Sequence, residues 1–152
     1  SDLYGNRLVV ENMGSIAGAT GSMVAGTWYN TVLIRDSSNV MKAYQNGSQA
    51  GSNGSFTGTA EFSRFATYGA ESLLNGYLDE IAFWDSDQTS NIAAIYNSGV
   101  AGDLWALSPP LHWYRNGDIN SGSGTTIEDI GSAGDNPLTL VNGPTYTTEV
   151  PS

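Results

Sequence analysis

Apolar and polar residues alternate in short runs along this chain, and clusters of Gly, Ser and Asn separate the runs. That rhythm predicts strands rather than helices. Residues 7–11 (RLVVE) predict a first strand, and a Gly/Ala/Ser loop follows from Gly14 to Gly26. Residues 27–36 (TWYNTVLIRD) give the strongest strand signal, being rich in β-branched and aromatic side chains. Val32, Leu33 and Ile34 are apolar on both faces, which predicts a central strand. The turn Asp36-Ser37-Ser38-Asn39 leads into a strand at 40–45, closed by Asn46-Gly47, a pair that tolerates positive φ and signals a hairpin. The Gly/Ser/Asn-rich stretch 48–59 predicts an exposed loop, and 61–68 and 77–85 predict further strands. One short helix is expected near 88–98. Asp87 or Thr89 would cap it, Ile92, Ala93, Ile95 and Tyr96 would form its apolar stripe, and Gly99 suits its left-handed exit. So short a helix needs a surface to pack on.

Composition narrows the class. The chain has 152 residues, enough for one domain, and its 39% hydrophobic and 11% aromatic content supplies a core. Only five Lys and Arg stand against fifteen Asp and Glu. The net charge of −10 disfavours nucleic acid as a partner, because phosphate binding needs clustered cations. With no cysteine the fold cannot be stapled, and zinc chemistry is ruled out by the single histidine. No apolar run approaches the ~20 residues that span a bilayer, so membrane insertion is not expected. No signal peptide is read, and the chain opens on Ser1 rather than Met, which fits a processed chain or a piece of a longer protein.

Three segments resemble a known family. The stretch Gly76–Gly102 with its flanks, NGYLDEIAFWDSDQTSNIAAIYNSGVAGD, resembles the strand, paired acid, short helix and Tyr-Asn-x-Gly exit of laminin-G-like domains of the concanavalin A-like superfamily. Gly26, Thr27, Trp28, Arg35, Asp36, Val40, Tyr44, Asn46 and Gly47 match the same family's hairpin pattern. Asn30 stands where many members carry His. Residues 111–150 are similar to the family's opening strands, yet here they follow the helix that normally comes near the end. They could complete their own sandwich in a permuted order or a neighbour's by strand exchange, or the chain could be cut from a longer protein. Completion within the assembly is favoured, because open sheet edges invite aggregation.

Candidate chemistry is sparse. The string YLDEIAFWD invites comparison with the superfamily's retaining glucanases, which set carboxylates at alternate strand positions. Here Asp79 and Glu80 are adjacent, so a regular strand would point them to opposite faces, unlike the pair about 5 Å apart that retention needs. One of them is expected to face inward and accept hydrogen bonds from loop amides. His112, beside Trp113, has no flagged nucleophile and is expected to be a packing or surface residue. Calcium is the one candidate cofactor, and none is required. The resemblance places it on the loop carrying Asp129, Asp135 and Asn136, with Asp118 in a neighbouring turn, although the same residue types also shape turns unaided. Of four Trp, Trp28 and Trp84 are expected in the core. Trp105, in a loop before Pro109-Pro110, is the candidate for an exposed aromatic that would stack on a sugar.

The resulting expectation is an all-β chain. Residues 1–152 would form a single antiparallel β-sandwich of the concanavalin A-like jelly-roll type, with one short helix. It would be a non-catalytic structural or surface-decoration module. The terminal NGPTYTTEVP resembles the style of laminin-G-like modules in bacteriophage structural proteins, which implies a virion or extracellular surface and neighbouring subunits or copies as partners. A lectin-like carbohydrate-binding module, with or without calcium, is the alternative. The glycan or protein ligand is not readable from the residues.

Overall fold

A computed structural model of the chain describes residues 23–60, 62, 65–68, 72–116 and 124–151. The strand expected at 7–11, most of the 14–26 loop and Asp118 lie outside the described residues. The chain divides into two compact units, one built from residues up to Ala60 with Ser86–Gly102 and one from Glu61–Asp85 with Asp103–Pro151.

The first unit holds a three-stranded antiparallel meander. Its strands are β1 (Thr31–Arg35), β2 (Val40–Gln45) and β3 (Ser48–Ser55), in that spatial order. The turn between β1 and β2 is built by Asp36, whose Oδ1 accepts from the Ser38 and Val40 amides, while Asn39 takes positive φ. Asn46 (φ 49°) and Gly47 (φ 77°) form the next turn with both central residues left-handed, the geometry that matches strand twist in a two-residue hairpin. That turn fixes the register Gln45↔Ser48, Tyr44↔Gln49 and Ala43↔Ala50. Residues 48–55 were expected as a loop, and they are exposed as expected, yet they form a strand. Register set by a tight turn, with backbone pairing to β2, overrides their poor intrinsic preference. Among the described residues β1 has a neighbour on one side only, and β2 rather than β1 is the middle strand. Both sheet faces carry buried side chains, because Ile34 points to one and Met41 and Ala43 to the other.

The expected helix is present in three pieces. A 3-10 turn (Thr89–Asn91) runs into α1 (Ile92–Tyr96) and then a second 3-10 turn (Asn97–Gly99). Asp87 Oδ1 accepts from the Thr89 amide and hydroxyl, as a capping acid should. Buried Gln88 bonds Ser86 and Asn91. The left-handed exit starts earlier than Gly99, at Asn97 (φ 43°) and Ser98 (φ 58°). The Tyr96 ring lies so close to Gly47 that an added Cβ there would sit 2.9 Å from Tyr96 Cδ1, so α1 covers the hairpin turn.

The second unit contains short antiparallel pairs. They are β4 (Thr67–Tyr68) with β5 (Ser72–Leu73), β6 (Ile81–Phe83) with β7 (His112–Tyr114), and β8 (Thr126–Ile127) with β9 (Leu138–Thr139). Phe62, Phe65 and Phe83 cluster with ring centroids 5.2–6.4 Å apart. A second helix, α2 (Leu104–Leu107), departs from the single helix expected. Asp103 caps it by accepting from the Trp105 and Ala106 amides. Four residues are too few for a periodic signal, so only the capping acid ahead of LWAL marked it.

Candidate functional site

β6 and β7 organise the polar side chains of the second unit. Their register sets Ile81 against Tyr114, Ala82 against Trp113 and Phe83 against His112. Side chains alternate along β7, so Trp113 and Arg115 lean one way and His112 and Tyr114 the other. Each side meets its own acid.

On the first side stands Glu80. Its Oε2 accepts from Trp113 Nε1 at 2.7 Å and its Oε1 from Arg115 Nε at 3.0 Å. The Arg115 guanidinium lies 5.2 Å from the Trp113 ring centroid, within cation–π range. Trp113 is 2% exposed and is among the largest wholly buried side chains. Burial pushes the Glu80 carboxyl above the usual glutamate range, and the hydrogen bonds and charge of Trp113 and Arg115 offset this only in part. Glu80 has φ 51°, a left-handed conformation costly for a residue with a Cβ. The Asp79 side chain accepts from the Glu80 amide at 2.9 Å. Beyond the end of β7, Asn116 donates its side-chain amide to the Leu78 carbonyl.

His112 and Asp129 form the second side. His112 Nδ1 lies 2.5 Å from Asp129 Oδ2, and Asp129 Oδ1 accepts from the Trp113 and Gly131 amides at 3.0 and 2.9 Å. The Asp129 side chain is 0% exposed. Burial pushes its carboxyl up, but the bonds from His112, Trp113 and Gly131 together outweigh burial and hold it below the usual aspartate range. Tyr114 completes this side by donating its hydroxyl to the Asn136 carbonyl at 2.7 Å. Residues 130–133 run along β7, with Ile130, Ser132 and Ala133 amides bonded to the carbonyls of Trp113, Pro110 and Leu111.

The expected site residues fare differently. Asp79 and Glu80 precede β6 instead of lying within it, so strand alternation does not set their directions, and the left-handed turn at Glu80 does. The inward acid is Glu80, and its partners are the side chains of Trp113 and Arg115 rather than loop amides. Of the calcium candidates, Asp129 is wrapped in donors, Asp135 is exposed at φ 58°, and Asn136 contributes its carbonyl to Tyr114. Among the described residues no group of three or more His, Asp or Glu side chains is placed to hold a metal ion. Trp105 is 44% exposed, as expected, but it sits on α2 and not in a loop. Trp28 and Trp84 lie just outside strand ends and are only half-buried, so the core tryptophan is Trp113. The His112–Asp129 pair escaped the sequence reading because seventeen positions separate the two. By contrast, the i, i+2 spacing of Trp113 and Arg115 was a readable sign that both could reach one acid.

A family model described as Laminin_G_3, of the concanavalin A-like lectin/glucanases superfamily, matches residues 7–92. No curated protein and no solved structure matches the chain. The strand-rich architecture with few short helices fits a β-sandwich. No helix among the described residues is long and apolar enough to cross a membrane.

Proposed function

Because the chain belongs to the Laminin_G_3 family of the concanavalin A-like lectin/glucanases superfamily, a fold class that hosts unrelated activities, we propose that it is a non-catalytic structural or surface-decoration module. Its setting is a virion or another extracellular surface, and its partners are neighbouring subunits or copies of itself. The complete jelly roll, with residues 111–150 contributing strands to their own sandwich, is part of this proposal, and the β6–β7 pairing supports it. One observation carries the functional reading. Glu80 and Asp129 spend their carboxylates on fixed donors in the fold, while Tyr77 (58%), Leu78 (44%) and Trp105 (44%) are exposed. Acids so engaged serve architecture, and large exposed apolar side chains serve contact. The test is sedimentation of the purified chain, alone and with candidate particles. Self-association or particle binding that Tyr77→Asp weakens is expected. A chain that stays monomeric and binds no particle would sink the proposal.

A lectin-like module is the second reading, favoured by the exposure of Trp105, since indole faces stack on sugars. A glycan array run with calcium and with a chelator separates its forms. A hit that survives chelation and is lost on Trp105→Ala supports stacking, a calcium-dependent hit supports the loop acids, and silence in both arms counts against this reading.

A further inference from the structure

Four Asn-Gly pairs fall wholly within the described residues, at 46–47, 53–54, 75–76 and 142–143, and the fold holds them in unlike states. Asn-Gly is chemically labile, because glycine lacks the Cβ that would hinder its nitrogen from reaching the preceding side chain. Reaction needs a backbone free to turn that nitrogen toward Asn Cγ. Asn46 is not free. Its amide donates to the Asn30 carbonyl, its Oδ1 accepts from the Asn30 amide at 2.9 Å, and Gly47 lies under the Tyr96 ring. Asn53 lies in a bulge of β3, where the register jumps from Ala43↔Ala50 to Met41↔Gly54; its Oδ1 accepts from Gln49 Nε2 at 2.7 Å, and Gly54 is paired with Met41. Asn75-Gly76 and Asn142-Gly143 lie outside any strand or helix, all four residues exposed. Among the described residues no hydrogen bond holds the side chain of Asn75 or Asn142, or the amide of Gly76 or Gly143.

We propose that Asn75 and Asn142 are sites of spontaneous deamidation to aspartate and isoaspartate, and that the fold protects Asn46 and Asn53. In the reaction the glycine amide loses its proton to base and its nitrogen attacks Asn Cγ. The N–Cγ bond forms, the Cγ–Nδ2 bond breaks, and ammonia leaves. Water then opens the succinimide at either ring carbonyl. The route through one carbonyl gives aspartate, and the other gives isoaspartate with the main chain rerouted through the side chain. No electrons are transferred, and water is the only co-reactant. Each event adds one negative charge to a chain already at −10.

The test is to incubate the folded chain at mildly alkaline pH and follow each Asn-Gly peptide by mass spectrometry with an isoaspartate-specific label. A parallel sample is held in denaturing urea. In the folded chain Asn75 and Asn142 should convert at least about tenfold faster than Asn46 and Asn53, the factor that about 1.4 kcal/mol of added barrier imposes on a rate. In urea the four rates should converge. Isoelectric focusing of Asn142→Gln should lose an early acidic step that the parent chain shows. Faster conversion at Asn46 or Asn53, equal rates in the folded chain, or an unchanged ranking in urea would each overturn the proposal.

Discussion

Glu80 and Asp129 are both ionisable groups locked to β7, but burial and hydrogen bonding settle their acidity in opposite directions. Glu80 is raised above the ordinary glutamate value of 4.5, so the folded chain holds that proton more tightly than the unfolded chain does. Stability therefore falls as pH rises from 4.5 through the folded value, and is recovered on acidification across that window. Asp129 is lowered below the ordinary aspartate value of 3.8. Its contribution is complete above 3.8 and is lost as pH falls through its folded value. A denaturation midpoint followed from neutral pH downward should first rise and then fall. Glu80→Gln should flatten the upper limb alone. Asp129→Ala should remove its share of the lower limb and cost about 1–3 kcal/mol, by stranding donors on His112, Trp113 and Gly131. A midpoint that only declines on acidification, or an upper limb unchanged in Glu80→Gln, would contradict this account.

Elements form here where a local cause is strong, and that decides what the sequence revealed. Strand 40–45 and its Asn46-Gly47 turn were legible because turn chemistry is written in two adjacent residues. β3 was not, because its pairing comes from the partner strand and not from its own Gly, Ser and Asn. The acids of the candidate site could be named, but their partners could not. Trp113 and Arg115 lie 33 and 35 positions from Glu80, a separation no local pattern encodes. Gly131 shows the same limit. Nothing in IGSAGDN reveals that a Cβ at Gly131 would overlap the Leu111 carbonyl oxygen and sit 2.5 Å from His112 Cα. Backbone atoms cannot swing aside, so Gly131→Ala should push residues 130–133 off β7 at a cost of roughly 1–3 kcal/mol. Chemical denaturation measures the loss, and amide exchange should show Ile130 and Ala133 losing protection first. A variant as stable as the parent would mean this close approach is not a constraint.

For the molecule as a whole, charge governs how copies meet. Fifteen acids against five Lys and Arg set up mutual repulsion between copies, and salt screens it over about 8 Å at physiological ionic strength. If apolar side chains such as Tyr77 and Leu78 make the contact, its mass-action constant should rise steadily with sodium chloride. Calcium should then act no more strongly than sodium at matched ionic strength. Sedimentation across a salt series reads this directly. Association that weakens as salt is added would show that ion pairs, rather than apolar contact, hold the copies together.

The two pairing patterns also set an order of events during folding. β1, β2 and β3 close their contacts over turns of a few residues, whereas β6 must find β7 across a loop of roughly thirty, which costs more chain entropy before any contact is gained. The meander is therefore the early nucleus, and the burial of Trp113 is the late, committing step. Pulse-labelled refolding should protect the amides of residues 41–45 before those of 81–83 and 112–114, and simultaneous protection would show a single concerted step.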